Sequence, residues 1–229
     1  MIPAILHYAS RQSLAADLAE MVARELSDAL EAHGRATLAV PGGTTPGPFL
    51  EALSQADIDW ARVRVMLTDE RFVPESSDRS NTRLLRQTLL RGRAAEAVLV
   101  PFYAPGETPE DVIPDLSAAV QAVLPIDVCV LGMGEDMHTA SIFPGADRLA
   151  EALAPLAPVL VPMRAPGAPE PRLTLSAPVL RAAGSLHLLI AGAGKKAALE
   201  RALQDGPVED APVRAILSAP TPVTVHYAD

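Results

Sequence analysis

The sequence predicts an α/β fold: a doubly wound, mainly parallel sheet with helices on both faces, Rossmann-like, in a single domain over residues 1–229. Three observations carry this reading. Short apolar runs alternate with stretches of helical period, the rhythm of βαβ units. The run Val128-Cys129-Val130-Leu131 is apolar at every position, as a central parallel strand covered on both faces must be. The 229 residues suit one large domain better than two. A chain of that length buries about 70% of its extended surface without help from metal or disulfide.

The elements follow in order. Residues 4–8 read as a strand. Residues 13–33 read as a helix because Leu14, Leu18, Val22, Leu26 and Leu30 recur every fourth position; Gly34 then ends it. Further strands are expected at Thr37–Val40, Val63–Thr68, Val98–Pro101, Ile126–Leu131, Leu186–Ala191 and Val223–Tyr227. Helical stretches lie between them at 47–54, 82–91, 109–123, 178–183 and 195–204. Six prolines fall between Pro155 and Pro171. Too few residues follow for a second domain, so this segment reads as a stiff surface excursion.

Composition narrows the function. Hydrophobic residues make up 49% and mean hydropathy is +0.20, which excludes a disordered chain. Aromatics are only 3%, so the core is aliphatic. The net charge of −9, without a basic run, argues against nucleic acid and anionic membrane as partners. A lone Cys129 inside a predicted strand can form no internal disulfide and reads as packing. Met1–His7 lacks the basic and long apolar regions of a signal peptide, and no apolar run is long enough to span a bilayer. A cytoplasmic protein is the expectation. No apolar surface helix is evident, which favours a monomer.

Ligands of open parallel sheets bind beyond the carboxyl ends of the strands, so the segments after each strand matter most. Pro41-Gly42-Gly43-Thr44-Thr45-Pro46 offers close backbone approach, two hydroxyls and a helix start, features that suit a phosphate. It lacks the lysine of a P-loop, and an ordinary strand-to-helix turn is the alternative. Asp69-Glu70-Arg71 groups three charges at a strand end, which is costly unless they are paired or used. Ser80 and Asn81 mark a helix start. Gly132-Met133-Gly134-Glu135-Asp136-Met137-His138 carries an acid and a histidine two residues apart after the central strand. Imidazole, with an ordinary pKa near 6.5, suits proton transfer at neutral pH. Arg172 with Thr174, and Lys195 after Gly192-Ala193-Gly194, add cations able to meet a phosphate. His7, His33, His187 and His226 lie in strands or at a helix end and read as structural. No His/Cys spacing suits a metal, no Gly-x-Ser-x-Gly elbow exists, and the first strand lacks a dinucleotide fingerprint.

Five motifs together resemble the glucosamine-6-phosphate isomerase/6-phosphogluconolactonase superfamily, and its lactonase branch in particular, over nearly the whole chain. Pro41–Pro46 is similar to Ser-Gly-Gly-Ser-Thr-Pro, and Asp69–Pro74 to Asp-Glu-Arg-x-Val-Pro with Ser80-Asn81 following. Leu131–Pro144 is similar to Leu-Gly-Met-Gly-x-Asp-Gly-His-Thr-Ala-Ser-Leu-Phe-Pro. Arg172–Leu175 and Gly192–Lys195 match the later Arg and Gly-x-x-Lys positions. Pro41 and Met137 depart from the pattern, replacing Ser and Gly; if the Gly position has a positive φ, Met137 is strained or the loop is shaped differently.

The resemblance implies hydrolysis of 6-phospho-D-glucono-1,5-lactone to 6-phosphogluconate, in the oxidative pentose phosphate pathway, without a metal or organic cofactor. It implies His138 as general base, with Asp136 orienting it. Arg71 neutralises negative charge on the oxyanion or the phosphate. Gly42, Gly43, Thr44, Thr45, Arg172 and Lys195 anchor the phosphate, and Asp69 and Asn81 shape the pocket. A deaminase of the same superfamily would show Asp-Glu-Tyr and Asn-Glu-Pro where this chain has Asp69-Glu70-Arg71 and Ile142-Phe143-Pro144. A sugar-phosphate sensor of a transcription regulator would carry a helix-turn-helix and a basic face.

Overall fold

A computed structural model describes residues 3–229. Met1 and Ile2, part of the segment read for a signal peptide, lie outside the described residues. The first strand, β1 (Ala4–His7), leads into α1 (Arg11–His33), then β2 (Ala36–Val40), α2 (Gly47–Leu53) and β3 (Val63–Leu67). The short β4 (Asp69–Arg71) precedes α3 (Asn81–Thr88), β5 (Val98–Leu99), α4 (Pro109–Gln121) and β6 (Val128–Leu131). The remainder runs α5 (Leu149–Leu153), β7 (Leu160–Met163), β8 (Arg172–Leu175), α6 (Ala177–Arg181), β9 (Ser185–Ala191), α7 (Ala193–Ala202), α8 (Val213–Leu217) and β10 (Val223–Ala228).

Seven strands form one sheet in the order β1-β10-β9-β6-β2-β3-β5, every pair parallel. Every residue of β2 and β6 is buried, so both faces of the sheet centre are covered. This is the expected doubly wound architecture. From β2 the chain winds outward through β3 to β5; from β6 it winds the other way through β9 to β10. The strand order therefore reverses between β2 and β6, and a ligand crevice belongs beyond their carboxyl ends.

Local rules account for the longest helix. Ser10 and Ser13 cap α1 reciprocally, and Gly34 closes it at φ 71° with its N–H donating to the Leu30 carbonyl. The row Leu14, Leu18, Val22, Leu26 and Leu30 is buried, as the spacing predicts. Cys129 is buried in β6, where burial pushes its thiol up to about 12, an unreactive packing residue.

Asp69–Arg71, read as three charges grouped at a strand end, is itself a strand of a second sheet, ordered β4-β8-β7 and antiparallel. The proline-rich segment is not wholly a surface excursion, because Leu160–Met163 within it is a fully buried strand. Its Pro162 is accommodated because β7 is an edge strand, where a missing N–H leaves no ladder gap. The short helices α5 and α8 are likewise additions to the sequence reading.

A polar chain links Tyr8, just after the edge strand β1, through β10 and β9 to Glu25 on α1. The Tyr8 hydroxyl lies 2.8 Å from His226 Nδ1, His226 Nε2 3.0 Å from His187 Nδ1, and His187 Nε2 2.8 Å from Glu25 Oε2. One proton per link satisfies it: Tyr8 donates to His226, His226 to His187, and His187 to the Glu25 carboxylate. His187 and His226 are thus structural, as expected.

Candidate active site

The loops after β2 and β6 meet across the point of strand reversal and enclose a crevice of about 280 Å³. Its wall includes Gly42, Gly43, Thr44, Thr45, Asp69, Arg71, Asn81, His138, Arg172 and Lys195. Asp136 stands behind His138 rather than on the wall. Residues drawn from six separate stretches of chain are therefore brought together.

The histidine–aspartate pair sits on the turn after β6. Gly134 N–H donates to the His138 carbonyl at 2.9 Å and Met137 N–H to the Gly134 carbonyl at 3.0 Å, folding the chain back on itself. Asp136 Oδ1 lies 2.5 Å from His138 Nδ1 and accepts the His138 backbone N–H at 3.2 Å. With Nδ1–H donating to Asp136, the lone pair sits on Nε2. Burial opposes ionisation of Asp136, but the hydrogen bond and charge of His138 outweigh it and hold the carboxyl below its ordinary value. It is an anion at neutral pH, able to fix the tautomer and stabilise an imidazolium. Gly134 is required by contact: a Cβ there would lie 2.2 Å from both Asp136 Oδ1 and His138 Nδ1.

The turn is strained. Met137 has φ 66° and Ala140 φ 49°, so two L-residues flanking His138 take the left-handed conformation. The strain expected at Met137 is present, at about 1–2 kcal/mol for such a residue. Ser141 secures the turn by donating to Asp69 Oδ2 at 2.5 Å, and its N–H donates to Thr174 Oγ1 at 3.2 Å.

Two of the three cations on the wall, Arg71 and Arg172, come from the second sheet, and Lys195 comes from α7. Arg71 and Arg172 stand directly opposite in the β4–β8 register. Like charges so placed repel. Asp69 Oδ2, 3.9 Å from Arg172 Nη1, offsets one of them. Both Nε atoms are buried and, among the described residues, without a hydrogen-bond partner. Burial, and then the nearby Arg71, lower the Arg172 pKa, against the opposing pull of Asp69. Two neighbouring arginines with little compensating negative charge make this part of the crevice positive, which suits an anion.

Three contributors were not singled out by sequence reasoning. Phe143 stacks between the centres, 4.2 Å from the His138 ring centroid and 5.2 Å from Arg172 Cζ. Ser141 holds Asp69 and the turn, and Glu70, read from sequence only as one of three grouped charges, is buried beneath them. Each role depends on a contact between distant segments, for which local sequence offers no signal.

The fold and crevice define the class: a doubly wound α/β protein with a histidine–aspartate pair facing a cationic pocket at the switch point. The family model described as glucosamine-6-phosphate isomerases/6-phosphogluconolactonase matches residues 9–225, and the chain belongs to that family. It is 47% identical over 219 residues to a 6-phosphogluconolactonase of Rhizobium meliloti (strain 1021), covering 94% of each chain. It is 46% identical over 224 residues to one of Mesorhizobium japonicum, covering 96% of this chain and 93% of that one. The crystal structure of a 6-phosphogluconolactonase from Shewanella baltica OS155 superposes with TM-score 0.96 at 34% identity, covering 99% of this chain and 98% of the other. A monomeric glucosamine-6-phosphate deaminase shares the fold, with TM-score 0.81 at 15% identity.

Proposed function

We propose that this chain hydrolyses 6-phospho-D-glucono-1,5-lactone to 6-phosphogluconate, with His138 as the general base. The observation that carries the reading is His138, backed by Asp136, on the wall of a pocket that Arg71, Arg172 and Lys195 also line. A neutral ester to be attacked and a phosphate to be held are the two things this geometry serves. The relatives' names support the same substrate.

In the mechanism, His138 Nε2 takes a proton from water as the water oxygen attacks the lactone carbonyl carbon. The carbonyl π bond opens to an oxyanion. As it re-forms, the bond from the carbonyl carbon to the ring oxygen breaks, and the imidazolium returns its proton to that departing oxygen. Asp136 keeps the imidazole in the required tautomer throughout. Arg172, Lys195 and the Gly42–Thr45 loop anchor the 6-phosphate. Arg71 neutralises negative charge beside them, on the phosphate or the oxyanion. Every step uses groups of this chain and water, with no metal or organic cofactor called for.

The deaminase reading is weaker at a specific position. The chain carries Phe143 where that branch has a glutamate, and Phe143 is packed against His138 and Arg172. The deciding experiment generates the lactone in situ from glucose 6-phosphate and follows its decay by NMR against a no-enzyme blank, because the lactone also opens spontaneously. Decay well above the blank, yielding 6-phosphogluconate, is expected; decay at the blank rate with folded protein would overturn the assignment.

A further inference from the structure

Glu70 belongs to neither the catalytic pair nor the anion-binding wall, yet it is fully buried. It alternates with Asp69 and Arg71 along β4, so its side chain points away from the crevice that they line. An isolated buried carboxylate is costly, and this one is surrounded by donors. Oε1 accepts the backbone N–H groups of Arg71 and Asn81, each at 2.8 Å. Oε2 accepts the Thr82 N–H at 2.7 Å, the Thr82 hydroxyl at 2.8 Å and the Ser80 hydroxyl at 3.2 Å. Burial pushes the Glu70 carboxyl up, and the hydrogen bonds from Asn81, Thr82 and Arg71 pull it back. Three backbone N–H groups and two hydroxyls around it favour the carboxylate, against the burial that raises its pKa.

What these bonds hold is the anion wall. One oxygen joins the backbone of Arg71 to that of Asn81, and the other grips the first turn of α3, where N–H groups lack helical partners. Asn81 in turn backs the phosphate loop. Its Nδ2 donates to the Asp69 carbonyl at 3.0 Å, and a Cβ on Gly42 would fall 2.1 Å from its side chain. Displacing Asn81 therefore displaces the Gly42 backbone, Asp69 and Arg71 together.

We infer that Glu70 is a positioning residue for substrate binding, a buried carboxylate that locks β4, α3 and the Gly42–Thr45 loop into one anion-binding wall. This rests on the phosphate-binding reading above but assigns the wall's geometry to a residue that touches no substrate. A helix cap with a purely structural role would affect the unfolding midpoint and leave substrate binding intact.

Glu70→Gln makes the distinction. The amide replaces one acceptor oxygen with an NH2 group, which must face N–H donors. The expected result, at 25 °C with a cooperative unfolding transition retained, is a KM raised about tenfold or more with kcat within about threefold. Inorganic phosphate, used as a competitive probe by calorimetry, weakens in parallel. Thr82→Val deletes one hydroxyl donor and leaves the Arg71 and Asn81 bonds; it lowers the unfolding midpoint and keeps KM within about twofold. If Glu70→Gln does not fold, Glu70→Asp, one methylene short of bridging Arg71 and Asn81, faces the same criteria. Folded Glu70 variants with wild-type KM and phosphate affinity would overturn the inference. Wild-type protein that binds phosphate but hydrolyses no lactone would overturn the functional reading alone, since the phosphate comparison still tests Glu70. Wild-type protein that binds no phosphate but hydrolyses the lactone would overturn the inference about Glu70 and leave the activity standing.

Discussion

Acidification should destabilise this fold through His226. The residue is fully buried between Tyr8 and His187. Burial, and secondarily the neighbouring His187, push its pKa down to about 3 from an ordinary 6.5. The folded state therefore keeps the imidazole neutral where the unfolded chain protonates it. Its contribution to stability is complete above pH 6.5 and is lost progressively as the pH falls toward 3. Between pH 7 and pH 5 the unfolded chain gains about three quarters of a proton that the folded chain refuses, worth about 2 kcal/mol. Against a total of about 5–15 kcal/mol, that loss is large enough to measure. Urea unfolding at pH 5, 6 and 7 should show it as a midpoint lower by roughly 1 M at pH 5. Other titrating groups contribute, so the decisive comparison is His226→Gln, whose buried amide cannot take up the proton. The variant is less stable at pH 7, but its loss between pH 7 and pH 5 should be smaller by about 2 kcal/mol. Identical pH dependence in the two proteins would refute the buried-neutral account of His226.

Two further outcomes follow from the site. Lys195→Ala should raise KM about tenfold or more with little change in kcat, because a phosphate cation binds substrate and transition state alike; steady-state kinetics with unchanged KM would remove Lys195 from the phosphate site. Met137→Gly should be more stable than Met137→Ala by about 0.5–1 kcal/mol, the reverse of the usual order, because φ 66° penalises any Cβ. Thermal or urea unfolding of the two variants decides it, and the ordinary order would contradict the left-handed backbone.

The parts of the fold legible in the sequence are those governed by local pattern. β2, β6 and α1 were readable because burial on two faces, or on one helical stripe, leaves a direct imprint on residue choice. The second sheet was not. β4 is three charged residues whose strand character comes from pairing with β8, about a hundred positions later, and Pro162 disguises an edge strand as a loop. The same division holds in the site. Motifs that follow strands revealed His138, Asp136, Arg71 and Lys195, since the fold class places strand ends at the ligand crevice. The roles of Phe143, Ser141 and Glu70 arise from contacts between segments far apart in sequence; the Ser141–Asp69 hydrogen bond spans 72 positions. Met137 was legible as a departure from a glycine position, and its φ supplies the physical reason that glycine is favoured there.

The central claim is that His138, oriented by Asp136, is the base that activates water. The most direct measurement is kcat of His138→Ala beside wild type in the NMR lactone assay, with circular dichroism showing both folded. A fall of about 10²–10⁴-fold is predicted. Undiminished kcat in folded His138→Ala would contradict the account.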